Sequence, residues 1–98
     1  MAIKTSRTIA CVSKAIGAED TFSLGVFLRG LFNFSLSGTW VATVYVQRSF
    51  DKEVTWLDVD LFTTNTEEVG EDGEGAYYRF GIKAGGYTSG SVVGRLSQ

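Results

Sequence analysis

Histidine is absent from the 98 residues of this chain. Its absence removes the commonest general base and the commonest transition-metal ligand together. Cysteine occurs once, as Cys11, which excludes an internal disulfide and any multi-cysteine zinc site. That residue reads either as a reactive thiol or as a small buried hydrophobe, and the buried hydrophobe is the expectation. Proline is absent too, so turns must be built from glycine, asparagine, aspartate and serine, and no prolyl isomerisation slows folding. No apolar run approaches the roughly 18 residues that a membrane-spanning helix needs. The segment Met1 to Ala10 carries Lys4 and Arg7 with no long apolar stretch behind them. It does not read as a secretory signal, and the expectation is a chain made and matured in a cytoplasm without processing. Basic residues number nine, scattered from Lys4 to Arg95, and the net charge is −2. Without a basic stripe to neutralise phosphates, neither nucleic acid nor a membrane surface is an expected partner.

What remains is an ordinary globular composition, 44% apolar, with 12 glycines and 13% aromatics. The length suits one domain, residues 1–98, with a radius of gyration of about 13 Å if compact. Helical periodicity is hard to find. From residue 21 onward, β-branched and aromatic residues dominate, and turn residues interrupt them every eight to twelve positions.

Seven extended segments result. The first, 6–13, is an edge strand or part of an N-terminal arm, residues 1–16, that pairs with a neighbour. Segment 21–28 places Phe22, Leu24 and Val26 on one face, and Arg29-Gly30 marks a turn. Segment 31–37 alternates Phe32, Phe34 and Leu36 inward against Asn33, Ser35 and Ser37. Gly38 ends that run, and 39–49 reads as the longest strand, with Trp40, Ala42, Val44 and Val46 on one face. Segment 54–63 sets Leu57, Val59 and Leu61 against Trp56, Asp58 and Asp60. Segment 76–84 points Ala76, Tyr78, Phe80, Ile82 and Ala84 one way, and Gly85-Gly86 forms a tight turn. The last strand, 88–97, carries Val92 and Leu96. The fold class is therefore all-β, a single antiparallel β-sandwich of immunoglobulin-like or jelly-roll-like form.

The chemistry-bearing groups are few. Glu67, Glu68, Glu71, Asp72 and Glu74 put five carboxylates in eight residues, enough oxygens for calcium, which takes six to eight. The EF-hand frame is missing, so the expectation is a solvated, charged hairpin loop and no metal site. Asp58 and Asp60 lie about 7 Å apart along one strand face. With no cleft-lining partner in view, they read as the polar half of an alternation. Gly-x-Ser-x-Gly does not occur, and no histidine exists to activate a serine or cysteine. Gly81 to Gly86 is glycine-rich but opens no helix, so it does not cradle phosphate. The reading is a protein without catalytic residues or cofactors.

The most specific local motif is Ser49-Phe50-Asp51-Lys52-Glu53-Val54-Thr55-Trp56. It resembles the Asp box, Ser-x-Asp-x-Gly-x-Thr-Trp, a hairpin turn of sialidases and other sugar-related β proteins. Ser49, Asp51, Thr55 and Trp56 match, whereas Glu53 stands where the box has glycine. The resemblance implies a turn in which Asp51 accepts backbone N–H groups and Trp56 plugs the underside. Loss of the glycine implies a different turn geometry. Exposed aromatics supply the remaining binding candidates: Trp56, Tyr45, Tyr77 and Tyr87, any of which could stack on a sugar or enter a protein interface.

From Phe32 to Gln98 the chain resembles small virion proteins of tailed bacteriophages. The residues that carry this are 32–40 (Phe-Asn-Phe-Ser-Leu-Ser-Gly-Thr-Trp), 46–51 (Val-Gln-Arg-Ser-Phe-Asp) with Thr55-Trp56, then Tyr78-Arg79-Phe80, 87–90 (Tyr-Thr-Ser-Gly) and 95–98 (Arg-Leu-Ser-Gln). The last two strands also look like the closing hairpin of an immunoglobulin-like sandwich. The resemblance implies a structural protein of the virion, most concretely a capsid decoration or cement protein. It would form a homo-oligomer whose partners are other virion proteins, above all the major capsid protein. A tail, neck or fibre-attachment component and a carbohydrate- or receptor-binding module are the alternatives.

Overall fold

A computed structural model describes residues 10–98. These residues form seven strands: β1 (Cys11–Ile16), β2 (Thr21–Phe22), β3 (Val26–Ala42), β4 (Val44–Ser49), β5 (Leu57–Phe62), β6 (Thr66–Ile82) and β7 (Tyr87–Ser97). The protein is all-β, with no helix among the described residues. All seven strands belong to one antiparallel sheet, in the order β1-β7-β3-β6-β4-β5, with β2 also paired to β6. The sheet is thus one open ladder rather than two separately bonded sheets. The part of the expected N-terminal arm that is described, Cys11–Ile16, pairs along β7 of its own chain, from Cys11 opposite Ser97 to Ile16 opposite Val92. Residues 1–9 of that arm lie outside the described residues.

Phe32, Phe34 and Leu36 point inward from β3, as do Ala76, Tyr78, Phe80 and Ile82 from β6 and Val92 and Leu96 from β7. Strict alternation puts these residues on one face of each strand. The sheet curls so that this face meets itself. A Cβ on Gly94 of β7 would sit 2.4 Å from the Phe80 ring, which belongs to a strand two places away in the ladder. Phe34 and Phe80 stack at 5.7 Å between centroids, and Phe34 also meets Phe62 of β5 at 5.4 Å. The curled sheet is elongated, 50 × 30 × 18 Å, with a radius of gyration of 14.0 Å.

Several expected boundaries move, each for a local reason. Arg29-Gly30 is not a turn. The β3–β6 register shifts between Leu28 and Gly30, so Arg29 faces Gly73, Glu74 and Gly75 across a bulge. Gly30 and Gly75 have φ of 83° and 90°, which glycine adopts without the Cβ penalty. Gly38, at φ 108°, stays inside β3 because Ser91 of β7 closes on it. The expected long strand 39–49 is instead cut at Thr43. There the chain leaves the β7 ladder for the β4–β6 ladder, and the Thr43 N–H donates to Gly86 O at 2.8 Å. Segment 66–75, expected as a loop, is the first half of β6 and pairs with β3 from Gly30 to Leu36. Segment 21–28 is interrupted after Phe22. Buried Ser23 bridges the gap by accepting the Phe80 N–H on Oγ at 3.1 Å, while its own N–H donates to Phe80 O at 2.8 Å.

Three burial expectations fail with these shifts. Cys11 is exposed, because Val12 and Ile16 take the inward positions of β1 and Cys11 alternates with them. Leu24 lies in the break between β2 and β3 and is also exposed. Leu57, Val59 and Leu61 are 52%, 43% and 50% exposed, since β5 ends the ladder and no other described strand pairs with its outer edge.

Candidate functional site

Ser49 closes β4 with its side chain buried, and this sets the turn that follows. Its hydroxyl donates to Asp51 Oδ1 at 2.8 Å and accepts the Glu53 N–H at 2.9 Å. The same Asp51 oxygen accepts the Thr55 N–H at 2.8 Å. Three of the four motif residues are therefore one hydrogen-bonded unit. Lys52 and Glu53 carry φ of 57° and 71°. Glu53 thus holds the left-handed backbone that a glycine would adopt freely, at a cost of about 1–2 kcal/mol for a residue with a Cβ. The missing glycine does not abolish the tight turn; the conformation is kept and strained.

The Thr55 N–H, then the Ser49 hydroxyl, hold the Asp51 carboxyl down at about 2, against an ordinary 3.8. A depressed folded-state pKa contributes stability that is complete above the unfolded value and is lost as pH falls through the folded one. Between pH 4 and 2 the wild-type chain should therefore lose thermal stability relative to Asp51→Asn, whose side chain does not titrate. Parallel melting curves for the two proteins over that range would show the turn to be irrelevant.

Trp56, the fourth motif residue, leaves the turn and lies against Arg79 of β6, whose guanidinium carbon is 4.5 Å from the ring centroid. Phe22 covers the other side at 4.3 Å. The sandwich forms because β2 pairs beside Gly81, where any Cβ would strike Phe22 and the Thr21 carbonyl. Burial between the rings lowers the Arg79 pKa, although it stays a cation. From there a polar chain crosses the sheet face. Arg79 Nε donates to Gln47 Oε1 at 2.8 Å, and Gln47 Nε2 donates to Asp58 Oδ1 at 2.9 Å. Lys83 is ion-paired with the other Asp58 oxygen and lies 4.2 Å above the Tyr45 ring. Lys83, then Gln47, pull the Asp58 carboxyl below its ordinary range.

Tyr45 and Trp56 thus flank one continuous aromatic and cationic face. Tyr77 packs edge-on against Phe27 at 5.3 Å. Tyr87 sits at the start of β7, where its hydroxyl donates to Gly90 O at 2.9 Å. The four aromatic candidates do not converge on one site. Arg79, Phe22, Gln47 and Lys83 were not singled out from sequence. The alternation Tyr77-Arg79-Gly81-Lys83 was visible there, but the two-residue strand that lays Phe22 beside it was not.

A cleft of about 210 Å³ opens between β5 and the first half of β6. Phe32, Phe34, Val46 and Phe62 form its apolar wall, and Asp60, Glu68 and Glu71 its acidic one. Of the five clustered acids, Asp72 has an internal task. It accepts the Tyr78 hydroxyl at 2.9 Å and the Gly75 N–H at 3.0 Å, which holds the bulge opposite Arg29. Burial raises the Tyr78 pKa, so the phenol stays protonated as the donor. Among the described residues no three His, Cys, Asp or Glu side chains are grouped as metal ligands. Compared with protein-family models, with curated proteins and with solved structures, the chain matches none of them.

Proposed function

We propose that this chain is a non-enzymatic building block of a tailed-phage virion, in its most concrete form a capsid decoration protein. It would be made in the host cytoplasm, bind the shell as a homo-oligomer, and take the major capsid protein as its partner. The observation that carries the assembly reading is β5: among the described residues it is an edge strand, unpaired on one side, along which Leu57, Val59 and Leu61 are each about half exposed. Proteins that stay apart shield such edges, and an apolar edge left open is a template for another chain. The resemblance over residues 32–98 supports the placement in a phage particle. A protein that binds only the assembled shell stabilises that shell by mass action.

Copy counting in purified particles, by quantitative gel and electron cryomicroscopy, tests this. Copies distributed over the whole shell are expected. Copies confined to one vertex would move the chain to the neck or tail, and absence from the particle would remove the reading. The face bearing Tyr45 and Trp56 favours a second reading, a carbohydrate-binding module. That reading requires a rise in melting temperature of the isolated chain on adding glycans.

A further inference from the structure

The free edge of β5 is ill-suited to its own copy. Its pairing with β4 passes from Val46–Asp60 to Gln47–Asp58, which leaves Val59 as a bulge in the middle of the strand. Two β5 edges meeting antiparallel about a two-fold axis would also bring Asp60 toward its counterpart. Like charges opposite one another destabilise a strand pair. The neighbouring cleft adds Glu68 and Glu71 to the same side. An occupant of this edge must therefore be extended, partly apolar and basic.

The chain contains such a segment. Residues 1–9, Met-Ala-Ile-Lys-Thr-Ser-Arg-Thr-Ile, hold two of the nine basic residues, none of the eleven acidic ones, and two isoleucines. They lead into Ala10, whose carbonyl accepts the Gln98 N–H at 3.0 Å beside β1. β1 is the opposite end of the ladder from β5. Nine extended residues reach about 30 Å, while the six residues of β5 occupy about 20 Å, which leaves about 10 Å to cross between molecules.

We infer that residues 1–9 of a second copy of this chain add a strand to the free edge of β5, with Lys4 and Arg7 against the acidic cleft of Asp60, Glu68 and Glu71. An arm that leaves one edge and docks on the opposite edge of the next copy makes a head-to-tail contact. Such contacts close into rings or run on as filaments. The inference deepens the assembly reading by naming the self-contact, but its test uses the isolated chain.

Sedimentation of the full chain, of a variant lacking residues 1–9, and of the double variant Glu68→Lys, Glu71→Lys would decide it. Circular dichroism confirms that each is folded, and should the deletion not fold, the charge variant carries the test alone. The full chain should self-associate with concentration, and added salt should weaken that association about tenfold. Both variants should be monomeric. Mixed together they should form a one-to-one dimer, because one keeps the edge and the other keeps the arm. A full chain that remains monomeric at about 100 µM, or a deletion that associates as well as the full chain, overturns the inference. So does a monomeric full chain that loses thermal stability on deletion, since the arm would then lie on its own molecule. A chain that self-associates yet is missing from particles would leave this contact standing and remove the virion reading.

Discussion

Phe80→Ala should cost about 3–5 kcal/mol, the range for deleting a buried aromatic ring whose surroundings cannot collapse. Phe80 is 1% exposed and touches parts of the sheet that the ladder keeps apart. It lies opposite Val46 of β4, stacks on Phe34 of β3, and rests on Gly94 of β7. Its backbone is clamped on both sides of the peptide by Ser23, so the strand is poorly placed to move into the void. A domain this size has roughly 5–15 kcal/mol of stability in all. The melting temperature should fall by about 15–30 °C, measured by calorimetry. Gly94→Ala supplies the sharper check. Alone it should destabilise, because its Cβ would lie 2.4 Å from the ring. In the Phe80→Ala background the same methyl should be tolerated or help, giving a clear coupling between the two sites. Additive losses would mean that β6 and β7 do not face each other across the core.

The alternation that put Phe32, Phe34, Leu36, Tyr78, Phe80, Ile82, Val92 and Leu96 inside could be read without a structure, because a half-buried strand imposes period two on its own sequence. What could not be read depends on the neighbour. Glu67 to Gly75 has the composition of a loop. It is a strand because Phe32 packs on Gly70, where a side chain would strike the ring, and because Asp72 holds the bulge closed through Gly75. Thr43 has no turn chemistry, and the change of partner there follows from where Gly86 lies. Leu57, Val59 and Leu61 alternate as well as any core strand does. Their exposure follows from the position of β5 at the end of the ladder, which no local pattern records.

The candidate site divides in the same way. Ser49, Asp51 and Thr55 were legible as a turn because every contact they make is within a few residues in sequence. Trp56 reads from sequence as a plug beneath the turn, but it leaves the turn for Arg79, 23 positions away, and the second ring, Phe22, is further still. Tyr45 came from sequence as a lone exposed tyrosine. The Lys83 ammonium above its ring and the Asp58 carboxylate that fixes that lysine become visible only once β4, β5 and β6 are aligned.

Gly90→Ala should be the most damaging substitution at an exposed position, costing on the order of 3 kcal/mol from backbone strain and overlap together. Gly90 has φ 84°, and a Cβ there would lie 2.2 Å from the Thr39 carbonyl oxygen and 2.7 Å from the Trp40 Cα. Both are backbone atoms of β3, so relief requires the β3–β7 pair to separate rather than a side chain to turn. Tyr87 donates its hydroxyl to the Gly90 carbonyl, which fixes the peptide from the other side. Gly30→Ala is the natural contrast. Its φ is 83°, but nothing lies within 4 Å of the added carbon, so only the conformational part of about 1–2 kcal/mol should be lost. The difference between the two variants in urea midpoint isolates the close approach of β3 and β7. Equal losses would mean that the two strands are not held at that distance. The result reaches beyond stability, because among the described strands β1 pairs with β7 alone. If β7 parts from β3 near Gly90, the register from Val92 to Ser97 that holds Cys11–Ile16 loosens with it. On the proposed contact, residues 1–9 would then lose the fixed edge from which they reach a second copy. Gly90→Ala should therefore weaken self-association as well as folding, whereas Gly30→Ala, on the part of β3 outside the β7 register, should leave association intact.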